Sequence, residues 1–230
     1  MAEIIQHTNQ LFDERYYSRD GVFVPSVTYI LGVAYPSGPG LSEWMKRVGM
    51  NADAIKEEAG EEGTFVHDAI DRMVNKESIS SEAIQQQFNP KRSLKIHRCL
   101  QAFLDWHQEF MPKILRHEFT TWNAKDKYAG TVDLLCEIDG EKYLVDYKTS
   151  KSVYDSHRAQ VAAYCKAEKV TKGAILHLGN QTKKRYSWLP MDESKLEKYW
   201  QQFQSSNNLF QTLYPQAQPN TEVFPENFSL

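Results

Sequence analysis

Apolar and polar positions alternate from Ala129 to Ile138 (AGTVDLLCEI) and again from Glu141 to Thr149 (EKYLVDYKT), a period of two that predicts a pair of strands. Between them, Asp139-Gly140 is the dipeptide that favours a two-residue type I′ hairpin. Val132, Leu134, Cys136 and Ile138 share one face of the first strand, and Tyr143, Val145 and Tyr147 share one face of the second. A packed face pins the register, because a one-residue slip would turn every side chain over. Ile114 to Trp122 (ILRHEFTTW) reads as a strand leading into this hairpin, and Gly173 to Gly179 (GAILHLG) with Lys184 to Leu189 (KRYSWL) as a second strand pair.

The helical period governs other stretches. Ser26 is placed to cap a helix that follows Pro25 and ends near Gly32, and after the loop Ala34 to Gly40 a short helix is predicted over Leu41 to Met50. Asn51 to Asn75 reads as helix with a break near Gly60 or Gly63, its core stripe being Val66, Ile70, Met73 and Val74, with His67 beside the stripe. Further helices are predicted over Ser81 to Phe88, over Ser93 to Phe110 (carrying Leu94, Cys99, Leu100, Phe103, Leu104 and Trp106, and ended by Pro112), and over Ser156 to Glu168. Asp192 starts a last helix that packs Leu196, Trp200 and Phe203 inward, and Pro215 to Leu230 is expected to be an extended tail. The pattern therefore predicts an α/β chain with a central mixed sheet, helices on both faces and a helical N-terminal region. One domain is expected: a helical wall over 1–112, the sheet and its helix over 113–190, a C-terminal helix over 191–213 and a tail over 214–230.

With 230 residues, 41% hydrophobic and 25% charged, the chain lies in the ordinary globular range. No apolar run approaches the ~18 residues of a membrane span, and the first residues lack the charged-then-apolar pattern of a signal peptide. A soluble, cytoplasmic protein is expected. Three widely spaced cysteines (Cys99, Cys136, Cys165) make neither a disulfide framework nor a zinc or iron–sulfur ligand set. The net charge of −3 argues against broad nonspecific adhesion to nucleic acid, although Lys142, Lys148, Lys151, Arg158 and Lys166 are expected to cluster on the hairpin and the helix after it.

The hairpin register also predicts chemistry. With Ile138 opposite Glu141, Asp133 falls opposite Asp146 and Thr131 opposite Lys148. Facing carboxylates at a Cβ separation of about 5 Å repel each other, so something positive belongs between them. Two hard oxygen ligands so placed suit Mg²⁺ or Mn²⁺, and Lys148, two residues beyond Asp146 on the same face, would reach a phosphate held there. The alternative is a solvated hairpin with scattered charges, against which Leu135 and Leu144 beside the acids argue for partial burial.

Four short elements, GTFVH (Gly63 to His67), GTVD (Gly130 to Asp133), DYKTS (Asp146 to Ser150) and QVAAY (Gln160 to Tyr164), stand in the order GxxxH, GxxD, DxK, QxxxY. In this the chain resembles the RecB-like branch of the PD-(D/E)XK nuclease superfamily, with PSVTYIL (Pro25 to Leu31) and the segment around Trp44 similar to phage and mitochondrial genome-maintenance exonucleases. The resemblance implies a restriction-endonuclease-like core and a divalent ion bound by His67, Asp133, Asp146 and the backbone carbonyl of Tyr147. It also implies catalytic roles for Lys148, Asp133 and Asp146, with Gln160 supporting the centre. A helix histidine satisfied by Asp71 is the alternative for His67. Glu118 matches an acid that many members carry on the preceding strand, and would bind a second metal, hold a water or simply stand at a strand edge. No iron–sulfur cluster is expected, nor a helicase motor, since no phosphate-binding GxxxxGK[ST] loop is present.

Contacts to DNA are expected from Ser26, Thr28, Trp44, Lys46, Arg47, Lys151 and Tyr164, with Tyr35 a further stacking candidate. Ser26 reads equally as a helix cap, and Trp44 and Tyr164 as core aromatics. The expected activity is metal-dependent hydrolysis of DNA by an exonuclease acting on single strands or duplex ends in recombination, replication or repair, in the host cytoplasm if phage-encoded. A recombination or single-strand-binding protein would be a partner. The alternatives are an endonuclease of the same fold and a non-catalytic nucleic-acid-binding protein.

Overall fold

The computed structural model describes residues 3–9, 14–36, 38–180, 184–216 and 218–220. The expected tail over 215–230 falls mostly outside the described residues. A five-stranded mixed sheet has the order β4 (Lys113–Asn123), β5 (Tyr128–Ile138), β6 (Glu141–Lys148), β7 (Gly173–Leu178) and β8 (Tyr186–Met191). All neighbours are antiparallel except β6 and β7, which run parallel and are joined by helix α6 (Asp155–Glu168). Helices cover both faces. On one side α3 (Ala52–Val74), α4 (Ser81–Gln87) and α5 (Pro90–Phe110) bury Val66, Ile70, Ile84, Phe103 and Trp106 against Leu134, Val145 and Leu176. On the other, α1 (Val27–Ala34), α6 and α7 (Glu193–Leu213) pack Ile30, Ala162, Trp200 and Phe203 against Tyr128, Leu144 and Ile175.

The N-terminal region is not all helix. Strands β1 (Ile5–Asn9), β2 (Glu14–Arg19) and β3 (Val22–Pro25) form a separate antiparallel sheet. Its second hairpin turns at Asp20-Gly21, whose positive φ angles of 51° and 76° repeat those of Asp139-Gly140, 51° and 79°. Both turns therefore use the left-handed conformation that glycine and aspartate tolerate. Buried Tyr17 ties this sheet to β5 through a 3.0 Å hydrogen bond to Thr131.

Two helices also depart from expectation. α3 runs unbroken through Gly60 and Gly63, since helical φ/ψ costs glycine only about 1 kcal/mol relative to alanine and packing on α5 exceeds that. α2 spans Pro39–Val48, beginning at Pro39 because proline suits the first turn. On α5, Cys99, Leu100, Phe103 and Trp106 are buried while Leu94 and Leu104 face solvent. Among the described residues, no helix is long and apolar enough to cross a membrane.

Candidate functional site

The hairpin register holds from Ile138/Glu141 to Leu134/Val145 and there the pairing ends, one residue short of both carboxylates. Asp133 and Asp146 are thus not a ladder pair, nor are Thr131 and Lys148. β6 pairs with β7 from Leu144 through Lys148, and past Val145 the Asp133 side chain fills the gap left on its other edge: Oδ2 accepts the Tyr147 N–H at 2.6 Å. Asp133 Oδ1 lies 3.3 Å from His67 Nδ1. The other half of the centre is Asp146, only 2% exposed, whose Oδ2 is 2.6 Å from Lys148 Nζ. That short ion pair supplies the buried Asp146 carboxylate with a cationic partner. Lys148 also donates to Gln160 Oε1 at 3.1 Å, and Gln160 Nε2 donates to the Tyr164 hydroxyl at 3.4 Å.

Each helical layer sends one group into this opening. Buried Glu62, held by Arg92 at 3.1 Å and Lys95 at 2.6 Å, fixes α3 on α5 and so places His67. Asp71 does not engage His67, because it is bonded to His117 on β4. Gln160 arrives from α6, whose Tyr164 ring lies flush on Gly130: a Cβ there would stand 2.5 Å from Tyr164 Cε1. Gly63 has no such constraint, since a Cβ would meet Thr149 Oγ1 at an ordinary 3.4 Å.

Glu118 sits on β4 with φ of 42°, a left-handed conformation strained for a non-glycine residue inside a strand. Its neighbours His117 and Phe119 pair with Leu134 and Val132, while Glu118 and Asp133 drop out of the ladder. The kink turns Val132 away from the face that Leu134 shares with Cys136, into the opposite core. It also brings one ligand atom each from His67, Glu118 and Asp133 within 4.8 Å of one another, a group able to hold a metal ion.

Electrostatics follow from this crowding. Burial opposes ionisation of Asp133, but the His67 charge and hydrogen bond outweigh it and hold the carboxyl below its usual range. Burial likewise disfavours the His67 cation, yet Asp133 raises its pKa to about 9. Asp146 is pushed up to about 6 by burial and the Asp133 charge, with Lys148 pulling the other way. Loss of hydration and the Asp133 charge raise Glu118 to about 7. The two neighbouring carboxylates are thus held in different protonation ranges by their surroundings.

A cavity of about 380 Å³ opens beside Lys148, lined by Thr28, Leu31 and Gly32 of α1, His67, the segment Tyr147 to Ser150, and Ser156, His157 and Gln160 of α6. The sequence reading missed His157 and His177. His177 pairs with Lys148 in the β6/β7 ladder and its Nε2 donates to the Ser150 carbonyl at 2.6 Å, fixing the loop after β6. His157, pushed down to about 3 by burial and by the Lys148, Arg158 and His177 charges, is a neutral imidazole. Neither signal is local, because both depend on which strands and helices meet.

Of the proposed DNA contacts, only Thr28 lines this cavity. Ser26 is 1% exposed and is consumed as the α1 cap, accepting from Tyr29 N at 2.9 Å. Tyr164 is buried under Gly130, and the Tyr35 hydroxyl is bonded to Gln202 at 2.7 Å. Half-buried Trp44 and exposed Lys46 and Arg47 lie on α2, and exposed Lys151 on the loop after β6, none lining the cavity. The basic cluster is smaller than expected. Lys142 is at the turn end of β6, about 20 Å of strand from Lys148, Lys166 faces Glu197, and Arg158 is paired with Asp155.

No family model matches the chain, and no curated protein matches it. A solved structure titled "Crystal structure of SSO0001" is 20% identical over 60% of this chain, with a TM-score of 0.33. The match spans 66% of that protein's length, and at this score it bears on neither fold nor chemistry.

Proposed function

We propose that this chain is a divalent-metal-dependent deoxyribonuclease of the RecB-like PD-(D/E)XK type, an exonuclease acting on DNA ends or single strands. One observation carries the reading. Residues from four separated sequence elements form two adjoining sets of contacts, His67 to Asp133 to the Tyr147 amide, and Asp146 to Lys148 to Gln160, joined by the Asp146–Tyr147 peptide. Such a grouping of two buried carboxylates with an imidazole and a lysine that line a cavity suits phosphodiester hydrolysis.

The donor set fits Mg²⁺ or Mn²⁺. His67, Glu118 and Asp133 converge, and the buried Asp146 carboxylate, 2.6 Å from the Lys148 ammonium, stands on the adjacent strand. His67, Asp133, Asp146 and the Tyr147 carbonyl would hold the ion, with Glu118 in reach of the first two. When bound, such an ion polarises the scissile phosphate and generates hydroxide near neutral pH. The chain's own groups do the rest. Lys148 presents its ammonium to the phosphoryl oxygens that gain charge, oriented by Asp146 and Gln160 on either side. Asp133, locked by the Tyr147 amide, keeps its second oxygen toward His67. Gln160 acts through Lys148 as a positioning residue.

The test is incubation of end-labelled linear single-stranded and duplex DNA beside a covalently closed circle, with Mg²⁺, Mn²⁺ or chelator. Metal-dependent loss of linear DNA while the circle survives supports the exonuclease. Cutting of the circle turns the assignment to an endonuclease, and binding without cleavage to a nucleic-acid-binding protein.

A further inference from the structure

The cavity lining carries polar groups that the proposed chemistry does not use. Thr149 follows Lys148 directly, and Ser156 and His157 stand in the first turn of α6, all three lining the same space. Among the described residues, the Thr149 and Ser156 hydroxyls have no hydrogen-bond partner. His157 Nδ1 accepts the Tyr154 N–H at 3.3 Å, so the ring proton of the neutral imidazole resides on Nε2. His157 is therefore a fixed N–H donor, and no group among the described residues accepts from it. Hydroxyl, hydroxyl and imidazole N–H are all able to donate, and all line the same cavity as the Lys148 ammonium.

Among the described residues, no arginine lines the cavity. The nearby Arg158 is held by Asp155 at 2.9 Å and lies over the Tyr199 ring. Lys148 is shared between Asp146 and Gln160. A terminal phosphomonoester carries nearly two charges and calls for guanidinium or several ammonium groups, whereas a phosphodiester carries one and is satisfied by neutral donors.

We propose that Thr149, Ser156 and His157 form a subsite for an internal phosphodiester next to the scissile one, so that the enzyme grips the strand within its length and does not require a terminal phosphate. This rests on the nuclease reading above. His157 and Ser156 are binding residues, and their contacts are equal in the ground and transition states.

The test uses the full chain and single-stranded oligonucleotides of one sequence, carrying either a 5′-hydroxyl or a 5′-phosphate. Ser156→Ala and His157→Ala are each expected to raise KM about 5- to 20-fold with kcat nearly unchanged, as loss of uniform binding requires. His157→Gln, whose amide can donate from a similar position, should recover most of the loss, and the two end groups should be degraded at equal rates. Fluorescence anisotropy of the same oligonucleotides in chelator should show the same loss of affinity. KM and anisotropy unchanged in both alanine variants, or a strong preference for the 5′-phosphate, overturns the subsite while leaving the nuclease reading intact. If wild type binds but does not cleave, the nuclease reading fails and the anisotropy series alone decides the subsite.

Discussion

Gly130 has no room for a side chain because the Tyr164 ring occupies the place a Cβ would take. A buried aromatic between a sheet and a helix cannot swing aside, so Gly130→Ala should destabilise the fold by about 1 to 3 kcal/mol. Tyr164→Leu should relieve much of that loss in the double variant, which a thermodynamic cycle of chemical denaturation would show. Additive effects would separate the two residues. His67 makes a prediction in pH. Its folded pKa of about 9 stands above the ordinary 6.5, so its stabilisation is fully present below about pH 6.5 and lost as pH rises through 9. In chelator the melting midpoint should fall across that window, and His67→Ala should flatten the slope. An unchanged slope in the variant would mean that the Asp133 pair is not what holds the proton.

At the scale of elements, β4 is where local strain and function meet. Glu118 takes a left-handed backbone that a β-branched residue tolerates poorly and glycine adopts freely. Glu118→Gly should therefore match or slightly exceed wild type in stability, and Glu118→Val should lose about 1 to 2 kcal/mol. Both should bind Mn²⁺ more weakly, which calorimetry would register; equal Mn²⁺ affinity would remove Glu118 from the site. The strain was not legible in ILRHEFTTW, whose composition reads as ordinary strand. The hairpin after it was legible down to register, because Asp139-Gly140 and the alternation around it are local signals. What local signals did not contain was where the pairing stops. It stops where Asp133 also leaves the ladder with β4, opposite the left-handed Glu118. Asp20-Gly21 carries the same hairpin signal as Asp139-Gly140 and turns the second hairpin of the N-terminal sheet.

Across the whole molecule, the parting of β5 and β6 opens one end of the sheet between two helical layers, and each layer contributes a side chain there. His67 comes from α3 on one side and Gln160 from α6 on the other, with Asp133, Asp146 and Lys148 on the strands between them. The residues of the centre were legible in sequence because each lies in a short element of recognisable spacing. The outlying contacts were not, since whether Ser26 or Tyr164 meets solvent is a property of packing.

The claim that this centre hydrolyses phosphodiesters is tested most directly by the single-turnover cleavage rate of linear single-stranded DNA with Mn²⁺, wild type against Lys148→Ala, with circular dichroism confirming that both are folded. The account predicts a loss of about 10³-fold or more, as for removal of one charge-stabilising donor from an active site. Cleavage by Lys148→Ala at the wild-type rate would contradict it.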